Sequence, residues 1–278
     1  MTILIFILSL KIDHIITRRI SEYLFSATAT ALGRRAPQLD AANWRAVRWQ
    51  LLLSAGYVLG CAWRSALPVF DIERQVMVDS WLSSVAVGRS VATVAELCFA
   101  AQWALLLQRA AAVVGSAAAA RAARVLLPMI VLAELCSWHA VLTTSNLGHV
   151  VEESLWGLAA LVVVGAALAM RRHCAPALKP LLTAWAVAAA VYAAYMAAVD
   201  VPMYAARWLA DAAAGRSYLS LDRGLADAAG RWVVRHHWEA WRSEVVWMSL
   251  YFSVAVWFSI GLAHAAAHTP ALRPAPRA

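Results

Sequence analysis

Charge is scarce in this chain. Asp, Glu, Lys and Arg make up only 14% of its 278 residues, where a soluble domain carries about 25%. With 63% apolar residues and a positive mean hydropathy, the composition points to lipid as the solvent. Cysteine is scarce too. Cys61, Cys98, Cys136 and Cys174 form no CxxC pair, which excludes a zinc ribbon and a disulfide framework. Three of them lie inside apolar stretches and read as small buried residues. No Gly-rich phosphate loop, nucleophile elbow or HExxH zinc motif occurs. The net charge of +8 does not imply nucleic acid, because the basic residues fall between apolar stretches and no nucleic-acid motif accompanies them. The opening run Met1–Leu10 is too short to span a bilayer and lacks the basic region and cleavage site of a signal peptide. It is expected to be an interfacial segment, or to follow from a start placed upstream of the true one.

What is present is a series of long apolar stretches. A span needs about 20 apolar residues, and six stretches qualify: 49–70, 80–108, 125–146, 153–170, 180–200 and 245–266. The first is marginal, since Arg64 limits its uncharged core to Trp49–Trp63. The expected fold is all-α, a polytopic transmembrane bundle of about six spans over 49–266, with a basic arm over 1–48 and a Pro- and Ala-rich tail over 267–278 without fixed structure. Basic residues without acids mark the expected loops 109–124 (Arg109, Arg121, Arg124) and 171–179 (Arg171, Arg172, Lys179) and the tail (Arg273, Arg277). The arm adds seven more basic residues on the same side of an alternating bundle, while Asp71, Glu73, Asp79, Glu152, Glu153, Asp200 and Glu244 fall opposite. Six spans with both termini cytoplasmic satisfy this asymmetry. The expected location is a cell membrane, of the bacterial inner-membrane type. The segment 201–244 balances its charges around scattered Leu and Trp residues and predicts short amphipathic helices on the outer surface. Pro202 is expected to end the fifth span at Asp200.

Charged groups inside a span are costly and need a partner or a function. Arg89, Thr93 and Glu96 share a helix face at offsets of four and three. Arg89 and Glu96 stand two turns, roughly 10 Å, apart, so Thr93, a water or another helix is expected between them. On the next span Glu134 and Ser137 lie one turn apart, and Cys136, His139, Thr143 and Asn146 form a second stripe. Glu96 and Glu134 fall at comparable central depth, with Arg89 and His139 in the outer third. The tetrapeptide Ala-Glu-Leu-Cys occurs at Ala95–Cys98 and again at Ala133–Cys136, a coincidence of an Ala- and Leu-rich chain or the echo of a repeat. Arg89 paired with either glutamate could simply hold two helices in register. One arginine against two carboxylates nevertheless leaves a surplus negative charge to be removed by a proton, by His139 or by a bound cation.

At the rim, His149 meets Glu152 and Glu153 at offsets three and four if a helix begins there. That spacing suits a hydrogen-bonded pair or two ligands of one metal, while glutamates at a helix start also complement its dipole. In a compact bundle Arg64, His149, Glu152, Asp200 and Glu244 would converge on an outward-opening mouth. Ser145-x-x-x-His149 and His264-x-x-x-His268 together resemble motifs of the seven-helix metal-dependent amidases and ceramidases. The charge-derived topology puts the two pairs a bilayer apart, and the resemblance is rejected. A b-type haem is excluded on similar grounds, since His139 and His264 do not match in depth.

The leading functional expectation is a polar intramembrane pocket that binds or modifies a lipid-soluble small molecule. Glu134 or Glu96 would be the acid–base group, Arg89 the anion or carbonyl partner and His139 a proton acceptor or ligand. Arg64, Thr93, Ser137, Asn146, Asp200 and Glu244 would line the substrate, and His149, Glu152 and Glu153 are the metal-ligand candidates. Membrane lipid, a small apolar ligand and a second copy of the chain are the expected partners, nucleic acid is not, and no cofactor follows from the sequence. The alternatives are a non-catalytic assembly or sensory protein and a small-solute or proton-coupled permease.

Overall fold

The computed structural model describes residues 26–31, 34 and 41–268. The expectations for Met1–Leu10 and for the tail from Thr269 lie outside the described residues. The chain is mostly helical: α1 (Ala41–Ala66), α2 (Val85–Val114), α3 (Ala117–Thr143), α4 (Asn146–Arg171), α5 (Lys179–Tyr195), α6 (Val201–Ala213), α7 (Leu221–Gly230), α8 (Val245–Ser249) and α9 (Ala255–His268). Among the described residues, five helical stretches are long and apolar enough to cross a membrane: Val85–Val114, Ala117–Thr143, Asn146–Arg171, Pro176–Ala213 and Val245–Ala266. By length and composition they are compatible with a multi-pass membrane protein. At 26 residues α1 reaches about 39 Å, but it is not among the five, in keeping with Arg45, Arg48 and Arg64 along it.

The helix ends differ from the sequence expectation, and two of the differences change the connections. The basic segment 109–124 is not a loop: α2 and α3 run up to a turn at Gly115 and Ser116, where Gly115 takes φ 76°. The Ser116 hydroxyl accepts from the Ala119 N–H at 3.3 Å and starts α3. Pro202 does not end the fifth span. A single π-turn, Met196–Asp200, joins α5 to α6, and Val201 N–H donates to Met196 O. The wider turn takes up the clash and the missing donor that proline brings to a helix, so the apolar helix continues to Ala213.

By its contacts the chain forms two compact units. One holds the residues up to Phe99 together with Leu225–Ala267, and the other holds Ala100–Gly224. In the first unit α1, the opening half of α2, α8 and α9 surround a core of Tyr57, Val58, Cys61, Ala95, Met248, Phe252, Val256 and Ile260. Gly60 lets α1 approach α2 closely: a Cβ there would stand 2.6 Å from the Ala95 methyl. A buried hydroxyl pair, Ser259 to Ser54 at 3.0 Å, ties α9 to α1.

Between α1 and α2 the chain builds a small cap. Strand β1 (Val69–Phe70) pairs antiparallel with β2 (Gln75–Val76), and β3 (Val233–Val234) adds parallel to β2. Part of the expected amphipathic segment is therefore a sheet edge with a folded loop. Trp241 is buried against Phe70 with ring centroids 4.7 Å apart, and its Nε1 donates to Arg235 O at 2.9 Å. Arg74, 0% exposed, donates from Nε to Asp227 Oδ2 at 2.7 Å and from Nη1 to Asp71 O. Trp232 Nε1 donates to Asp79 at 2.9 Å, and Gln75 Nε2 to Ala240 O at 2.7 Å.

In the second unit α3 and α4 form a tight antiparallel pair. Thr144, with φ 60°, closes α3 in a left-handed cap. Gly148 then meets α3 so closely that a Cβ would lie 2.5 Å from Cys136 O and 2.7 Å from the Ala140 methyl. Trp103 and Trp185 meet edge to face at 5.6 Å and fasten the second half of α2 to α5. The Leu219 N–H donates to Thr143 O at 3.0 Å and folds the chain after α6 back onto the end of α3.

Candidate functional site

Each unit carries a cluster of buried polar groups on helices that otherwise suit lipid. In the first unit Arg89 Nη2 donates to Glu96 Oε2 at 3.0 Å. The expectation that two turns of helix keep these groups apart is corrected. The rise of roughly 10 Å is covered by the long arginine stem lying along its own helix and the glutamate reaching back. Arg89 Nη1 also lies 4.0 Å from Asp71 Oδ2, and Tyr251 OH donates to Glu96 Oε1 at 3.1 Å. Glu96 therefore joins a guanidinium at one oxygen and a phenol at the other. Tyr57 stacks on Phe99 at 4.7 Å and meets Tyr251 edge to face at 5.8 Å, which makes the surroundings aromatic. The Cys61 thiol points to Tyr251 O at 3.9 Å.

The other candidates of this unit have separate roles. Arg64 is buried and donates from Nη1 to Gly88 O at 3.3 Å. Glu244, also buried, opens α8 and accepts from Ser243 Oγ at 2.9 Å and from Trp247 Nε1. Thr93 is half-buried. Tyr251 and Asp71 escaped the sequence reading. A phenol inside an apolar span was the available signal for Tyr251, whereas Asp71 gains its place only through the cap.

In the second unit Glu134, His149 and Glu152 are all buried, at 3%, 5% and 3% exposure. A carboxylate oxygen of Glu134 and one of Glu152 lie within 4.8 Å of each other. His149 Nδ1 lies 2.6 Å from Glu152 Oε2, one helical turn along α4. The imidazole also faces the Tyr204 ring at 4.9 Å, and Arg207 covers that ring at 5.4 Å from its centroid. Ser137, one turn after Glu134, is fully buried and its Oγ has no hydrogen-bond partner among the described residues.

Toward the end of the helix pair, Asn146 Nδ2 donates to Asp211 Oδ2 at 3.1 Å, and Arg216 donates to the same carboxylate at 3.0 Å. Asp200, the last residue of the π-turn, is buried, and Glu153 is half-buried. His139 departs from its expected place. It is exposed, on the side of α3 that carries the exposed Leu132 and Leu135, while Ala133, Glu134, Ser137 and Ala140 form the buried side. Asn146 leaves the expected stripe as well, because α3 ends at Thr143 and Asn146 is the first residue of α4.

Comparison of the chain with protein-family models, with curated proteins and with solved structures finds no match.

Proposed function

We propose that the protein binds, and acts on, a lipid-soluble small molecule at a polar site within the membrane. The observation that carries this reading is the Arg89–Glu96–Tyr251 cluster with its aromatic surroundings. Arg89 is a planar, permanently charged donor held beside Glu96 and Asp71. An apolar molecule with a carbonyl or acidic head can take its place beside them, and Tyr57, Phe99 and Tyr251 suit a flat or chain-like body. Glu96 is the acid–base candidate and Arg89 the group that polarises a carbonyl. Its exposed position removes His139 from that cluster.

The charge distribution supports a bundle of six spans, with α1 as the first, both termini in the cytoplasm and the cap on the outer side of a bacterial inner membrane. Purification into nanodiscs from native membranes, followed by mass spectrometry of the bound lipid fraction, tests the function. One lipid-soluble compound should be enriched on the wild-type protein and fall at least about tenfold in Arg89→Ala, the cost of one charge-assisted bond in a dry site. Tyr251→Phe, a milder change, should reduce it by a smaller factor. An identical lipid profile in wild type and Tyr251→Phe, with no enrichment over bulk membrane, rejects the reading.

A further inference from the structure

We infer that the second unit binds a divalent metal ion through Glu134, Glu152 and His149. The proposal uses none of the residues named in the reading above. Three observations support it. First, the carboxylate oxygens of Glu134 and Glu152 are within 4.8 Å. Two oxygens bound to one divalent cation at about 2.1 Å stand about 3.0–4.2 Å apart, so a side-chain movement of under about 2 Å closes the pair on an ion. Second, His149 Nδ1 and Glu152 Oε2 are 2.6 Å apart. Two ligands at right angles on such an ion stand roughly 3 Å apart, so a cation replaces this hydrogen bond with little movement. Third, the Ser137 hydroxyl is fully buried without a partner among the described residues. It lies one turn from Glu134 on the buried side of α3, level with the turn of α4 that begins at Gly148 and carries His149 and Glu152. It can hold a metal-bound water.

The chemistry of the donors narrows the ion. Two carboxylates and an imidazole, with no thiolate among them, suit Mn2+, Fe2+ or Zn2+, not Cu+, and a nitrogen donor disfavours Mg2+ and Ca2+. Glu153, the third ligand candidate from the sequence, is half-buried, and the proposal takes Glu134 from the neighbouring helix instead.

The test uses the full chain in detergent, stripped with chelator and reloaded with MnCl2 or ZnCl2 alone. Elemental analysis after gel filtration should find one equivalent of metal per chain. Glu134→Gln and Glu152→Gln, which keep side-chain size, should each weaken binding more than about tenfold, and Ser137→Ala by a smaller factor. Glu239→Gln, on the exposed cap loop, should bind as the wild type does. Pulsed electron paramagnetic resonance on the Mn2+-loaded wild type should show coupling to an imidazole nitrogen, lost in His149→Gln. The inference is overturned by less than a stoichiometric amount of either metal on the wild type, by equal uptake in Glu134→Gln and Glu239→Gln, or by a wild-type spectrum without nitrogen coupling. The last measurement needs no variant and stands even if the glutamine forms do not fold.

Discussion

Arg74→Ala is expected to unfold the cap of the first unit while the helices stay inserted. The guanidinium is 0% exposed and holds Asp227 from one side and the Asp71 carbonyl from the other. Asp227 keeps Arg231 as a partner, so the loss is that of the buried guanidinium's own charge-assisted bonds, about 1.5–3 kcal/mol. The rest of the cap is small: three strands of two residues each, the Phe70–Trp241 contact and the side-chain bonds of Gln75, Trp232 and Trp241. Val233 N donates to Arg74 O at 2.7 Å and Arg235 N to Val76 O at 2.9 Å, so hydrogen exchange at Val233 and Arg235 reports the cap directly. Both amides should exchange orders of magnitude faster in the variant, with exchange in α9 unchanged. Wild-type protection at these two amides in Arg74→Ala would refute the account.

The same pair sets an acid limit for the cap. Burial opposes ionisation of Asp227, but hydrogen bonds from Arg231 and Arg74 outweigh it and hold the carboxyl below its ordinary value of 3.8. A group with a depressed folded pKa stabilises fully above its unfolded value and loses that contribution as pH falls through the folded one. Cap protection in the wild type should therefore persist down to about pH 4 and fail below it, whereas Arg74→Ala lacks it already at neutral pH. Hydrogen exchange measured at a series of pH values, corrected for the intrinsic rate, separates the two.

The sequence carries the membrane helices because long apolar runs can be counted, and it carries the face shared by Arg89, Thr93 and Glu96 because helical offsets fix it. It does not carry helix ends as well. Arg109, Arg121 and Arg124 read as a loop, yet they lie on the last turns of α2 and the first turns of α3, where helix and charge are compatible. The cap is illegible for a different reason. Two-residue strands show no alternation, and Val76 meets Val234 from a distant part of the chain. Burial within a helix is the third gap. Offsets group Cys136 with His139, but which side of α3 turns inward depends on where Gly148 presses against it. Glu134 and Glu152 meet for that reason, a contact between helices that no spacing within one helix encodes.

Gly148→Ala should therefore do more damage than any other alanine in α4, and Gly148→Leu should prevent a monodisperse protein. An added Cβ meets Cys136 O at 2.5 Å and Ala140 N at 2.9 Å. Both are backbone atoms of α3 that cannot rotate away, so the helices must separate. Membrane helices depend on such close approach at small residues, and overpacking of this kind costs about 1–3 kcal/mol or more. Gly165 supplies the internal control. It lies in the same helix, nothing stands within 4 Å of its added Cβ, and alanine there gains up to about 1 kcal/mol of helix propensity. Thermal unfolding in detergent should rank Gly165→Ala at or above wild type and Gly148→Ala several degrees below it. Metal binding should weaken in Gly148→Ala too, since separating the helices draws Glu152 away from Glu134. If Gly148→Ala melts no lower than Gly165→Ala, the tight α3–α4 contact is wrong, and the approach of the two carboxylates loses its physical cause.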